Sequence, residues 1–245
     1  MRRRTSSAIR TLAWVGLTLA ACRRPSVPRE QAAVEPPPLA RDVGGQEVLE
    51  VRAGEFTSIV GRSGSGKSSF LAMIGGLSRP SRGSVHIQGT DIWTLSDDRL
   101  ADFRNRQIGF VYQFASLLPT LRIIDNVVLP ARLRPAQDAE SVYRRAVELL
   151  DQFGLFDYLY AYPSEISSGE QRRAVIARAL INKPALLLAD EPTSDLDEVT
   201  ESEIVDRFRN LNRESGLTLI MVTHNLRLAE QTDRVIHISD GRLAT

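Results

Sequence analysis

Gly61-Arg62-Ser63-Gly64-Ser65-Gly66-Lys67-Ser68 decides the reading of this chain. It follows the apolar run Phe56-Thr57-Ser58-Ile59-Val60 and precedes Phe70, Leu71 and Ile74, so the pattern G-x-x-x-x-G-K-S/T stands between a strand and a helix. Its glycines let backbone amides turn inward as an anion nest at a helix N-terminus, where the macrodipole also favours phosphate. Residues Gly61, Arg62, Ser63, Gly64, Ser65, Gly66, Lys67, Ser68 and Ser69 are therefore expected to surround the phosphates of a nucleoside triphosphate. Lys67 is placed to reach the β- and γ-phosphates, and the Ser68 hydroxyl to ligate Mg²⁺. The local alternative, a flexible Gly/Ser linker, lacks the strand before and the helix after.

Outward from this loop, short apolar runs alternate with longer amphipathic segments, which predicts a mostly parallel sheet covered by helices. Buried strands are expected at Phe56–Val60, 186–189, 217–223 and 235–238. The second half of the site comes from Leu186-Leu187-Leu188-Ala189-Asp190-Glu191, an apolar strand that delivers two adjacent carboxylates at its C-terminal end. Ligands of open α/β sheets bind at that edge. Asp190 suits the Mg²⁺ shell and Glu191 the polarisation of an attacking water. Val142, Ala146, Leu149, Leu150 and Phe153 mark one face of a helix, assigned to an insertion. Residues 83–90 and 108–114 alternate like antiparallel strands, with Gly89-Thr90 as a turn, and Asp240-Gly241 marks a terminal hairpin. No internal repeat is present, so one nucleotide-binding unit is expected.

Composition closes off several classes. With 245 residues and 42% hydrophobic content, the chain can bury the core of a sizeable α/β domain. A net charge of +1, from 31 basic and 30 acidic residues, leaves no electrostatic footprint for nucleic acid. One cysteine, Cys22, excludes an internal disulfide, and three scattered histidines, His86, His224 and His237, do not make a metal cluster. Arg2, Arg3, Arg4 and Arg10 precede an apolar stretch at 11–21 that is too short to span a bilayer. With Leu19-Ala20-Ala21-Cys22 this resembles the lipobox of bacterial lipoproteins, and a Pro-rich linker follows to about residue 40. The segments expected are thus a signal-like piece at 1–22, a linker at 23–40 and a domain at 41–245. Beyond Cys22 no apolar run approaches spanning length, so a transport pathway would lie on another polypeptide.

Residues 162–171, Tyr-Pro-Ser-Glu-Ile-Ser-Ser-Gly-Glu-Gln, lead into a helix expected at 172–180 and resemble the ATP-binding-cassette (ABC) signature, usually Leu-Ser-Gly-Gly-Gln. Three other elements of that family stand in the same order: Gln113 as the Q-loop glutamine, Ser194-Asp195-Leu196-Asp197 as the D-loop, and His224 as the switch histidine. The resemblance spans roughly residue 41 to 245. It implies a P-loop NTPase of ABC ATPase type, α/β in class, with a mostly parallel core sheet, an antiparallel β subdomain and an inserted helical subdomain at about 114–180. It also implies that ATP and Mg²⁺ are bound between two copies of the domain. In that arrangement Ser167, Gly169, Glu170 and Asp197 face the partner's nucleotide, Gln113 senses Mg²⁺, and His224 contacts the γ-phosphate. The partners implied are a second ATPase domain and a membrane permease, with work done at the cytoplasmic face of a bacterial membrane or, if the lipobox is processed, from a lipid anchor on Cys22.

On its own residues the signature also fits a capping box, Ser167 with Glu170, and Gln113 fits a plain strand end. Residues 117–121 and 125–130 resemble the lipoprotein-releasing and macrolide-export branch, which also holds a cell-division ATPase, so a regulatory module or a degenerate cassette are the alternatives to a transport ATPase. Three departures from the family pattern stand out. Ser168 replaces a usual glycine, about five residues of a strand are missing before Glu50, and no aromatic residue lies between Pro36 and Phe56 to stack on adenine, Val43 being nearest to its expected place.

Overall fold

The structure, a computed structural model, describes residues 15–20, 41–42, 47–113, 116–134 and 138–244. Cys22, the proline-rich stretch, Val43 and Phe114 lie outside the described residues.

The first elements are β1 (Val15–Ala20), β2 (Arg41–Asp42), β3 (Glu47–Arg52) and β4 (Phe56–Val60), after which α1 (Lys67–Ile74) starts at the lysine of the glycine-rich loop. Next come β5 (Val85–Ile87), β6 (Thr90–Asp91), α2 (Asp97–Gln107) and β7 (Ile108–Val111). Three helices follow, α3 (Ile123–Arg132), α4 (Ala139–Gln152) and α5 (Ser168–Leu180). The chain then runs through β8 (Leu186–Asp190), α6 (Glu198–Ser215), β9 (Thr218–Val222), α7 (Leu226–Ala229), β10 (Arg234–Ser239) and β11 (Arg242–Ala244).

The main sheet has the order β11-β10-β4-β9-β8-β7, parallel throughout except for the β10–β11 hairpin. Every residue of β4 and β9 is buried, the mark of strands covered on both faces. Alternate side chains feed two cores. Leu187, Ala189, Leu219 and Met221 join the helices α3, α4 and α5 on one face. Leu186, Leu188, Ile220 and Val222 join α1 and the smaller sheet on the other. Each such leucine, moved from water to the core, stabilises the fold by about 1.5–3 kcal/mol before chain entropy is counted.

The expected strand at 108–114 is shorter, and it pairs parallel to β8 at the edge of the main sheet. Its alternation reflects burial of one face at an edge, which says nothing of strand direction. The turn expected at Gly89-Thr90 falls one residue earlier, at Gln88-Gly89, where both residues have positive φ. The smaller sheet has the order β2-β3-β1-β5-β6. Its outer pairs β2–β3 and β5–β6 are antiparallel, whereas β1 lies parallel to both β3 and β5. Part of the apolar stretch with a signal-like layout, Val15–Ala20, is therefore a strand in the middle of this sheet.

Local chemistry sets the ends of the helices. Asp138 caps α4 by accepting from the Ser141 amide, and Gly216, at φ 66°, ends α6. The segment leading into α3 is pinned by the buried Asn126, whose amide accepts from the Leu118 N–H at 2.7 Å and donates to the carbonyls of Leu118, Leu121 and Arg122.

Candidate active site

Four neighbouring parallel strands, β4, β9, β8 and β7, end at one edge of the main sheet, and each delivers a residue singled out in the sequence. The glycine-rich loop follows β4, His224 follows β9, Asp190 and Glu191 close β8, and Gln113 follows β7. Sequence spacing of more than a hundred residues between Ser68 and Asp190 closes to one hydrogen bond, 3.2 Å from Ser68 Oγ to Asp190 Oδ1.

The loop is shaped to receive an anion. Gly64 and Gly66 have φ of 78° and 98°, a region costly for any residue with a Cβ. The α1 N-terminus has no side-chain cap and no acidic residue in its first turn, so its amides and dipole are uncompensated. The buried Lys67 ammonium donates to the Gly61 carbonyl at 2.8 Å and the Arg62 carbonyl at 3.0 Å. Ser68 and Ser69 are exposed in the first turn of α1, while the buried Ser65 hydroxyl has no hydrogen-bond partner among the described residues. Spacing along the sequence missed one support. The Gly241 amide in the terminal hairpin donates to the Ser65 carbonyl at 3.0 Å, so β10 and β11 brace the loop from behind.

At the end of β8 the two carboxylates differ in environment. Burial pushes the Asp190 carboxyl above its ordinary range, and the Ser68 hydrogen bond opposes this in part; the charge of Glu191 adds to the rise and that of Lys67 reduces it. Glu191 sits in the left-handed region at φ 44°, held by its amide donating to the Val222 carbonyl at 2.9 Å. Its carboxylate Oε2 lies 3.2 Å from His224 Nδ1. Among the described residues no cluster of three His, Cys, Asp or Glu side chains exists to cage a cation. A hydroxyl and a carboxylate in contact, beside an open anion nest, instead suit Mg²⁺, which takes few protein ligands and fills its shell with phosphates and water.

The remaining residues fall into a second group. Ser167 caps α5 with both halves of a capping box: its hydroxyl accepts from the Glu170 amide at 3.3 Å and donates to Glu170 Oε2 at 2.7 Å, and its amide donates to the same oxygen at 2.7 Å. These bonds hold the Glu170 carboxyl below the ordinary range. Ser168 is exposed at the first helical position, and a Cβ on Gly169 would meet the Thr200 methyl at 3.4 Å. The hydrogen bonds of Ser167 and Glu170 close on each other and on their own loop, and none among the described residues reaches the glycine-rich loop. Asp197 caps α6, accepting from the amides of Val199 and Thr200 and from the Thr200 hydroxyl at 2.7 Å. The capping signal of Asp197 is visible in sequence as an acid opening an amphipathic run.

The chain matches the family model described as "ABC transporter" over residues 47–194. It is 45% identical over 202 residues to the lipoprotein-releasing system ATP-binding protein LolD of Syntrophotalea carbinolica, covering 82% of this chain and 88% of that relative. It is also 45% identical over 199 residues to the macrolide export ATP-binding/permease protein MacB of Rhodopirellula baltica, of whose length it spans 29%. Among solved structures it is similar to the ATP-binding cassette MJ0796 in a dimeric post-hydrolysis state bound to ADP and Pi, at 38% identity, TM-score 0.75, and coverage of 84% of this chain and 93% of that one. No helix among the described residues is long and apolar enough to cross a membrane.

Proposed function

The chain belongs to the ABC transporter family and is an ATPase, and from that premise we propose that two copies close around two MgATP to drive a permease carried on a separate chain. The observation that supports this best is the meeting of Ser68, Asp190, Glu191 and His224 at the sheet edge that carries the anion nest.

In this reading the triphosphate settles on the amides of residues 61–68. Lys67 exchanges the carbonyls of Gly61 and Arg62 for β- and γ-phosphate oxygens. Ser68, Asp190 and Gln113 would hold Mg²⁺, which when bound neutralises charge on those phosphates. Glu191 takes a proton from the water that attacks the γ-phosphorus. The bond from that phosphorus to the bridging oxygen breaks, leaving ADP on the loop and inorganic phosphate beside His224. The Glu191–His224 contact orients the carboxylate for this task. Ser167, Gly169 and Glu170, at the N-terminal end of α5, face the γ-phosphate of the partner's nucleotide, with Asp197 at the same interface. The domain works at the cytoplasmic face of the membrane, where ATP is available. The transported cargo is of the lipoprotein-release or macrolide-export kind named for its relatives.

Glu191→Gln tests the assignment. Turnover is expected to fall about 10²- to 10⁴-fold, the usual cost of a lost general base. ATP binding should persist, and size-exclusion chromatography with MgATP should show a trapped dimer. A variant hydrolysing ATP at the parent rate rules this role out.

A further inference from the structure

Arg172 is 5% exposed, one of the few charged side chains in the interior, and neither the phosphate site nor the capping box uses it. It lies in the second turn of α5, which packs across β7. Its guanidinium donates from one nitrogen to the Tyr112 carbonyl at 2.7 Å and from the other to the Gln113 carbonyl at 2.5 Å. Those are the two residues that follow β7, where the ladder with β8 has ended and the backbone carbonyls need another partner. Farther along the same helix Arg178 donates to the Ser116 carbonyl at 2.7 Å and the Ser116 hydroxyl at 2.6 Å. The segment around Gln113 is thus gripped at both flanks from one helix, the helix whose N-terminus carries Ser167 and Gly169.

Burial depresses the Arg172 pKa, and the nearby charge of Asp195, in the segment after Glu191, works in the opposite direction. A water could satisfy the carbonyl of Tyr112, whose residue is 41% exposed, without the desolvation of a guanidinium. A planar fork spanning two successive carbonyls does what water cannot: it sets the direction in which the chain leaves β7.

We infer that Arg172 is a positioning residue for ATP hydrolysis, a buried fork that fixes the Gln113 backbone so that its side chain reaches the metal–nucleotide site, and that couples this loop to the signature helix. The inference rests on the reading of Gln113 as a Mg²⁺ ligand. Arg172 acts through Gln113 and touches neither nucleotide nor metal.

The test uses the full chain and Mn²⁺ as the probe, with binding in the presence of ADP read from the loss of the free Mn²⁺ signal by electron paramagnetic resonance. Loss of a group that orients a metal ligand costs about 10- to 100-fold in metal affinity. Gln113→Ala and Arg172→Met are each expected to weaken Mn²⁺ binding on that scale, while ADP affinity measured without metal stays at the parent value because the glycine-rich loop is untouched. The double variant should bind Mn²⁺ no more weakly than Gln113→Ala alone. Arg172→Lys, with one compact ammonium for two carbonyls, should recover part of the loss. Arg172→Met with parental Mn²⁺ affinity, beside a weakened Gln113→Ala, overturns the inference and leaves the Gln113 reading intact. A Gln113→Ala variant with parental affinity sinks that reading and the inference with it. Should Arg172→Met not fold, Arg172→Lys decides, and parental Mn²⁺ affinity in that variant is the overturning result.

Discussion

Three alanine substitutions in the glycine-rich loop should separate two reasons for glycine. At Gly64 and Gly66 the reason is the backbone angle. A Cβ at Gly64 meets nothing within 4 Å, and one at Gly66 comes no closer than 3.7 Å, to Gly241 Cα. Each of these variants bears chiefly the left-handed penalty of about 1–2 kcal/mol. At Gly61 the reason is space. A Cβ there would stand 2.2 Å from the Ile238 carbonyl oxygen and 2.8 Å from Ser65 Oγ. The serine can rotate, but the carbonyl belongs to β10, the parallel neighbour of β4, and restoring an ordinary contact of 3.4 Å needs a retreat of about 1.2 Å. Overpacking typically costs about 1–3 kcal/mol, occasionally more, and a backbone obstacle that cannot rotate away puts Gly61→Ala at the upper end. That movement also shifts the Gly61 carbonyl, which accepts from Lys67. Gly61→Ala is therefore expected to be the least stable of the three in urea unfolding. It should also bind ATP more weakly than its stability alone explains, measured by calorimetric titration under conditions where it is folded. An unfolding midpoint for Gly61→Ala equal to that of Gly64→Ala would refute the steric argument.

Three further outcomes can be checked. Because burial raises the Asp190 carboxyl, the folded protein holds that proton more tightly than the unfolded chain does. Nucleotide-free stability therefore falls as pH rises from the unfolded value through the folded one, and stays reduced above it. Asp190→Asn should unfold at or above the parent's urea midpoint at pH 7 without nucleotide, yet gain less from MgATP than the parent does; a nucleotide-free midpoint below the parent's contradicts this. Ser168→Gly removes a side chain at the exposed N-terminus of α5, so ATPase activity or dimer affinity should rise, at a helix cost of no more than about 1 kcal/mol, and no change in either means the serine is tolerated. Deleting residues 1–21 removes β1 and leaves β3 and β5 without their shared neighbour. A lower thermal midpoint and aggregation are expected, and a stable, active, palmitate-labelled form beginning at Cys22 would refute the view that β1 belongs to the fold.

The glycine-rich loop was legible because its pattern is local: glycines and a lysine stand within eight residues between a strand and a helix, so their spacing survives in the sequence. The buried runs 56–60 and 186–189 were legible because strands covered on both faces need continuous apolar residues, and Asp190-Glu191 stood out against such a run. The direction of β7 was not, because one-faced burial produces alternation in parallel and antiparallel edges alike. Nor was β1, since Val-Gly-Leu-Thr-Leu-Ala satisfies the hydrophobic core of a signal-like segment as well as it satisfies a strand, and only its pairing with Glu47–Arg52 and Val85–Ile87 distinguishes the two.

What the sequence determined by itself is thus the order and spacing of the groups we propose to handle a metal–triphosphate: the glycine-rich loop, Lys67, Ser68, Asp190 and Glu191. What the tertiary structure alone decided is their meeting and their support. Parallel pairing of β4, β9, β8 and β7 brings Ser68 to Asp190 and Glu191 to His224. Gly241 behind the loop and Arg172 beneath Gln113 act through backbone groups, which every residue carries and no sequence pattern marks. Contacts between distant segments depend on strand order and register, and these follow from the summed packing of two cores rather than from any short stretch of the chain.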